Sequence, residues 1–462
     1  MNKSYIFLFL SFLLACSAPK EADLILTDAS IIDVQNGELI ANQLIAIFGN
    51  RIIATDDASN LGSYSSEQII SLDGKFVMPG LWDNHIHFRG GDELTEANKN
   101  LLPLLLAFGV TTVRDAGGDI TPSLQEWKQL IKDGKLAGPT IFTPGPKLDG
   151  SRPAWDGSIS VTNKNEAQLA LDSLQKVNAD FVKIYDGNLT KEAFYQIISE
   201  AEKRGLKSTG HMPLSADLMK AVELGLEGTE HLYYPLKEGS PLADSLTEAG
   251  AGYGMITPLM NSYDDELANK AYRKLAENEF YVTPTLHVGK TLAELLITDH
   301  SDDSLLNYIS QKITDTYQRR LSSAKRGGES YTKARAQWVV SFSNMVKPMY
   351  DAGIHVLAGS DSGPFNSFTY PGESIHKELE LFVKAGLTPQ EALITSVVNG
   401  PKFFGLENDY GSIEANKVAD LLILDRNPLD NITNTSSIFS VISNGKWYAK
   451  SELSNLMNSI KN

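Results

Sequence analysis

Between residues 78 and 405, short apolar runs alternate with stretches of helical periodicity eight times over. The runs are Met78–His85, Val110–Arg114, Thr140–Thr143, Phe181–Tyr185, Lys207–His211, Gly228–His231, Tyr281–His287 and His355–Ser360. Between them lie helical patterns such as Glu166–Val177, Lys191–Arg204 and Ala216–Leu224. Alternation of this kind leads to parallel pairing, because each helix carries the chain back across the sheet. Eight units predict an α/β fold, a (β/α)8 TIM-like barrel, with a doubly wound open sheet as the alternative. The long connections after the sixth and seventh runs, roughly 232–280 and 288–353, read as helical. Excursions of that length after strands often shape the mouth of a site.

The flanks have a different texture. Asp23–Asp28, Ser30–Val34, Gln43–Phe48 and Arg51–Ala54 are strand-like, with Asn36-Gly37 and Gly49-Asn50 between them. The same pattern returns in Ala419–Asp425 and Ile438–Ser443, the latter followed by Asn444-Gly445. Neither end is long enough for its own core. Segments 23–77 and 406–450 are therefore expected to pair into one composite β-sandwich beside a barrel spanning 78–405.

The extreme N-terminus reads as a targeting segment. Lys3 precedes the apolar run Tyr5–Leu10 and then Phe12-Leu13-Leu14-Ala15-Cys16. That is a secretory signal too short to span a bilayer. Leu13-Leu14-Ala15-Cys16 resembles a bacterial lipobox, which implies cleavage before Cys16, lipidation of its thiol and a lipid-anchored place in the bacterial cell envelope. Residues 17–22 are expected to form a short polar tether. Cys16 is the single cysteine, so no intrachain disulfide can form. Asp plus Glu number 57 against 41 Lys plus Arg, a net charge of −16, and no segment is consistently basic. Nucleic acid is thus excluded as an expected partner, and the acidity favours solubility.

Chemistry concentrates at the ends of the predicted strands. Strand one ends in His85-Ile86-His87, where side chains two apart share a face and both imidazoles aim at one point. Lys183 lies on strand four, His211 ends strand five, His231 ends strand six and Asp361 follows strand eight. Catalytic groups of such a barrel sit at that end. His nitrogens and carboxylate oxygens suit Zn²⁺.

This set, in this order, resembles the amidohydrolase superfamily of metal-dependent hydrolases, most closely its imidazolonepropionase-like and Xaa-Pro dipeptidase-like members. Pro79-Gly80-Leu81-Trp82-Asp83, Gly109–Asp115, Gly411–Glu414 and Lys417–Leu421 carry further likeness. The resemblance implies two divalent metal ions, Zn²⁺ foremost, held by His85, His87, carboxylated Lys183, His211, His231 and Asp361. It also implies attack by a metal-held hydroxide on a C–N bond, with Asp361 as general acid and base. Ester, lactone or phosphoester hydrolysis at the same centre is the alternative, and a non-catalytic binding lipoprotein a further one. In the dipeptidase-like relatives a Tyr follows shortly after the strand-five His; His211-Met212-Pro213-Leu214 departs from that pattern.

Candidate contacts to a small or peptide-like substrate are Tyr185, on the same strand face as Lys183, and Tyr233 and Tyr234, after the strand-six His. His287, ending strand seven, and Arg152, in the loop after strand three, complete the set. Arg152 is a candidate because a guanidinium can clamp a carboxylate. His300, His355 and His376 fall where structural roles are expected.

Overall fold

The computed structural model describes residues 18–461. The expected signal segment and Cys16 lie outside the described residues.

Eight strands carry the centre of the chain: β1 (Leu81–Ile86), β2 (Val110–Asp115), β3 (Thr140–Phe142), β4 (Val182–Ile184), β5 (Ser208–Gly210), β6 (Gly228–Glu230), β7 (Tyr281–Thr283) and β8 (His355–Val356). They pair in parallel as β3-β2-β1, β4-β5 and β6-β7-β8. A two-residue strand, Leu148–Asp149, also pairs with β4. Hydrogen bonds join the strips edge to edge. Asp180 N donates to Thr143 O at 2.8 Å, Glu227 N to Ser208 O at 3.2 Å and Asn84 N to Ala358 O at 2.9 Å.

Helices intervene as the periodicity predicts, and local chemistry fixes where they begin. Asn163, Thr190 and Asp217 each accept a backbone N–H at the start of Lys164–Lys176, Lys191–Lys203 and Leu218–Glu223. Such caps satisfy amides that a helix leaves unpaired. The buried faces of these helices join one large apolar core, with Leu171, Leu174, Ile197, Ile198 and Leu218 almost wholly covered. Among the described residues no helix is long and apolar enough to cross a membrane.

Strands from both ends of the chain hydrogen-bond in a single sheet of eight. Leu421–Leu424 pairs antiparallel with Phe76–Pro79, which in turn lies parallel to Leu24–Asp33. Both terminal segments thus contribute strands to one continuous hydrogen-bonded sheet. Two boundaries differ from expectation. Met78–His85 reads as one strand but is split at Gly80, so that Phe76–Pro79 belongs to the terminal sheet and β1 starts at Leu81. The cause is close packing: a Cβ on Gly80 would stand 2.3 Å from Thr111 Oγ1, and Gly80 N turns to Asp420 O. The expected polar tether is ordered from Lys20, which pairs with Tyr64, and Ala22 is buried.

Trp82 anchors the start of β1. It is 2% exposed, stacks on Phe142 with centroids 5.6 Å apart, and meets the edge of Tyr410 at 5.3 Å. Its backbone N–H and C=O both bond the Ser396 hydroxyl. Trp82→Ala is expected to lower stability by about 3–5 kcal/mol through lost burial and an unfilled cavity. Chemical denaturation checks this, and a loss under ~1 kcal/mol would contradict the anchoring role.

Candidate metal centre

The C-terminal ends of the central strands bring six side chains together. His85 and His87 come from the end of β1, Lys183 from β4, His211 and His231 from the residues after β5 and β6, and Asp361 from the turn after β8. Gly210 makes the approach of β5 to β4 possible: at φ +146° its position is unfavourable for a side chain, and a Cβ there would stand 2.1 Å from Ile184 O.

His85, His231 and Asp361 each offer one ligand atom within 4.8 Å of the others. His87 Nε2 lies 2.7 Å from Asp361 Oδ1, and His85 Nε2 lies 3.5 Å from the same oxygen. Ring centroids of His85 and His87 are 5.1 Å apart, those of His85 and His231 5.4 Å, and those of His211 and His231 4.8 Å. His231, Asp361 and Thr285 have left-handed backbones, with φ of 64°, 55° and 53°. Left-handed backbone is rare for non-glycine residues, and uncommon in the extreme for a β-branched one such as Thr285. Its hydroxyl bonds His231 Nδ1 at 2.6 Å, which orients the ring.

The donor set fits divalent cations. Burial pushes His231 down to about 4 and holds His87 and His211 well below the ordinary histidine range, so these imidazoles are neutral and able to ligate. Lys183 is 1% exposed, and desolvation lowers its ammonium to about 8. Lys183 Nζ and His211 Nδ1 are buried without a hydrogen bond, their nearest charged neighbours standing at 3.5 Å. Buried donors left in this state are costly unless a further group completes them.

Beneath the six lies Glu230, which strand patterning did not single out. His85 Nδ1 is 2.6 Å from one carboxylate oxygen, while Arg114 Nη2 and Thr209 Oγ1 donate to the other at 3.0 Å. Burial alone would raise its pKa, but Arg114, Lys183 and His85 outweigh that and hold it well below the usual carboxylate range. At His85 burial opposes a charge, and Glu230 and Asp361 together outweigh it and raise the imidazole above its ordinary range. A carboxylate behind a ligating imidazole is the usual way to fix its tautomer and aim. The available signal was the Glu230-His231 adjacency at the end of β6, with Arg114 and Lys183 on the more distant strands β2 and β4.

Two cavities meet at the centre. One, of about 300 Å3, is bounded by Tyr233, Leu292, Trp338 and Phe342. A smaller one, of about 50 Å3, is bounded by Arg89, Lys147, Trp155 and Arg320 together with the candidate ligands. Tyr185 lines both, its ring 4.6 Å from that of His211. Tyr233 lines the larger, 5.8 Å from the ring of His231. Three sequence expectations are corrected. His287 faces a separate surface cleft with Lys290 and Glu294, because the chain turns into the helix Leu286–Glu294 at that point. Arg152 is exposed and exchanges contacts with Asn188, because its loop runs over the surface. Tyr234 is fully buried in the core. His376, as expected, is structural: its nitrogens meet Thr435 Oγ1 and Phe108 O.

The amidohydrolase family model matches residues 76–448. Among curated proteins, adenine deaminase of Bacillus velezensis is 24% identical over 303 residues, 61% of this chain and 47% of that protein. The chain thus spans about half the length of that relative. Ochratoxinase of Aspergillus niger is 21% identical over 416 residues, 77% of this chain and 71% of that protein. Among solved structures, a putative prolidase from Bifidobacterium longum superposes with TM-score 0.69 at 21% identity, covering 96% of this chain and 100% of that one. Bottromycin amidohydrolase superposes with TM-score 0.72 at 19% identity, covering 94% and 90%. These likenesses imply a TIM-barrel-like α/β fold. With its family model covering well over half of its length, the chain belongs to the amidohydrolase family.

Proposed function

We propose that this protein is a metal-dependent hydrolase of C–N bonds in amides, peptides or cyclic amides. His85, His87, Lys183, His211, His231 and Asp361 would hold two divalent ions, Zn²⁺ foremost, with Lys183 in its carboxylated form. In the same reading the three parallel strips close as an eight-stranded barrel, the segments 23–77 and 406–450 form its β-module, and lipidation of Cys16 places the enzyme in the bacterial cell envelope. The observation that carries the proposal is the convergence of four imidazoles, two buried and two half-buried, with Lys183 and Asp361 at one end of the strands; desolvation holds His87, His211 and His231 in the neutral form. The names of the relatives, a deaminase, an ochratoxinase and prolidases, support the C–N class.

Bound divalent ions supply Lewis acidity toward a carbonyl oxygen and draw the pKa of water toward ~7. The chain's own residues do the rest. Asp361 is fixed through Oδ1 by His87 and by Asn366 Nδ2 at 2.8 Å, which leaves Oδ2 toward His231 Nε2 at 4.0 Å. From there its carboxylate takes the proton of the attacking water and delivers it to the departing nitrogen. Glu230 and Thr285 hold the His85 and His231 rings in aim. Tyr185, between the two cavities, positions the scissile group, and Tyr233 lines the path to it. Assaying protein that lacks residues 1–16 against dipeptides, N-acyl amino acids and lactams tests the class, and failure to cleave any of them in metal-loaded form would refute it.

Asp361→Asn should retain metal but lose at least about 100-fold in kcat, the range of a positioned acid–base group. Elemental analysis alongside kinetics checks it, and an unchanged kcat removes Asp361 from proton transfer. Lys183→Ala should lose metal and regain part of its activity when short carboxylic acids are added; full activity without them excludes a carboxylated lysine. Acidity supplies a third measurement. The folded pKa of His231 lies below the ordinary value of about 6.5. Its contribution to stability is therefore present above pH ~6.5 and shrinks as pH falls toward 4, where the folded imidazole finally takes a proton. A histidine NMR titration of metal-free protein checks this, and a His231 midpoint near pH ~6.5 would mean an ordinary, solvated imidazole.

A further inference from the structure

The helix Leu286–Glu294 starts against the candidate centre, at Thr285. Thr285 O accepts the first intrahelical bond, from Gly289 N at 3.4 Å. A threonine in that position ordinarily has an extended backbone and turns its hydroxyl back onto an amide of the first turn. Thr285 does neither. Its backbone is left-handed, at φ 53° and ψ 50°, and its side chain caps no amide of the helix. The hydroxyl is spent on His231 Nδ1, 2.6 Å away.

The amides left over are capped from another helix. Glu378, within Glu373–Lys384 and 0% exposed, accepts from Leu286 N at 2.8 Å through Oε1 and from His287 N at 2.6 Å through Oε2. These two amides are its hydrogen-bond partners among the described residues. Burial pushes its pKa up to about 8, and the two amide bonds pull the other way. A carboxyl group in such a place is costly to bury, and the hydrogen bonds it accepts are what offset that cost. Two arrangements of this turn therefore compete. In one, Thr285 takes an extended backbone and caps its own helix, and His231 loses its hydroxyl partner. In the other, Glu378 caps the helix and the hydroxyl goes to His231. The second is the one present, although it requires a left-handed backbone at a β-branched residue.

We propose that Glu378 is a positioning residue for the metal centre: by capping Leu286 and His287 it releases the Thr285 hydroxyl to fix the ring of His231. With Nδ1 engaged, Nε2 is the nitrogen left facing Asp361 Oδ2, 4.0 Å away. Glu378 thus acts on the centre through two other residues and touches none of the candidate ligands itself. The inference rests on His231 being a ligand, as proposed above, and not on the amide chemistry. The same helix also lends Leu286, Val288 and Leu292 to the wall of the 300 Å3 cavity, so its test must separate the aim of the ring from the shape of that wall.

Zn²⁺ affinity by chelator competition, and imidazole nitrogen NMR of His231 in metal-free protein, are the two readouts. Both use the full-length chain at a temperature where melting curves show every variant folded. The wild-type ring should carry its proton on Nδ1. Thr285→Val should abolish that preference and weaken Zn²⁺ binding roughly tenfold, the range for a partner behind a ligating imidazole. Thr285→Ser keeps the hydroxyl and should stay within about twofold of the wild type. Glu378→Gln turns a donor toward one of the two amides, and should reproduce Thr285→Val in both readouts. The double variant Thr285→Val, Glu378→Gln should lose roughly tenfold in all, because the second change has no hydroxyl left to release. A loss of about 100-fold, the product of two independent effects, would overturn the coupling and assign Glu378 to the cavity wall. A lowered melting temperature in Glu378→Gln with unchanged Zn²⁺ affinity and His231 ring would make Glu378 a helix cap alone and overturn the proposal, as would a wild-type ring protonated on Nε2. The expected Zn²⁺ and ring results in a protein that cleaves no amide would uphold this role while refuting amide hydrolysis; amide cleavage with Glu378→Gln identical to the wild type in both readouts would do the reverse.

Discussion

The Glu230 carboxylate, 1% exposed, is bonded or ion-paired to groups on four other strands. It meets His85 on β1, Arg114 on β2, Lys183 on β4 and Thr209 on β5, and Arg114 passes the connection to Thr283 on β7. Such a charge is tolerable only because its partners are in place; removing one from a buried pair commonly costs about 3–5 kcal/mol. The same pairing that offsets its burial also points His85 into the centre. Packing of the strand interior and aim of the candidate ligands are therefore one arrangement, and the outer residues of the site are built on it.

The division between what the residue pattern discloses and what it hides follows from this arrangement. His85, His87, Lys183, His211, His231 and Asp361 stand at or next to strand ends, so strand-by-strand reading finds them together. Glu230 escapes because its role depends on four partners from other strands, and none of them is near it in sequence. Arg89 and Lys147 escape for another reason: loops, not strands, aim them, and loop conformation has no period to read. Arg152 and His287 mislead in the same way. Each has suitable chemistry in a suitable segment, but one loop lies on the surface and one strand ends four residues early, ahead of a helix that starts at Leu286. The split at Gly80 was similarly hidden, since an apolar run passes from one sheet to another without changing its composition.

The centre also separates two environments across a short distance. Towards Arg89 and Lys147 the walls carry positive charge held in place by Trp155, and towards Trp338 and Phe342 aromatic rings stand beside Arg320 and Arg335. The helix Gln318–Asp351 serves both, with Arg320 on one side of its break at Gly328 and Arg335, Trp338 and Phe342 on the other. A single interrupted element thus lines both cavities.

The left-handed backbone at His231 and Asp361 bears on how such a centre can change over generations. Outside glycine, that conformation is entered most readily by Asn, Asp and His. Two of these three are good metal ligands, and the third differs from Asp by one atom. Drift at either position is thereby channelled toward residues that keep the turn. A copy that acquires Asn at position 361 would keep the turn while losing the carboxylate, so drift at this position reaches well-folded descendants more readily than misfolded ones.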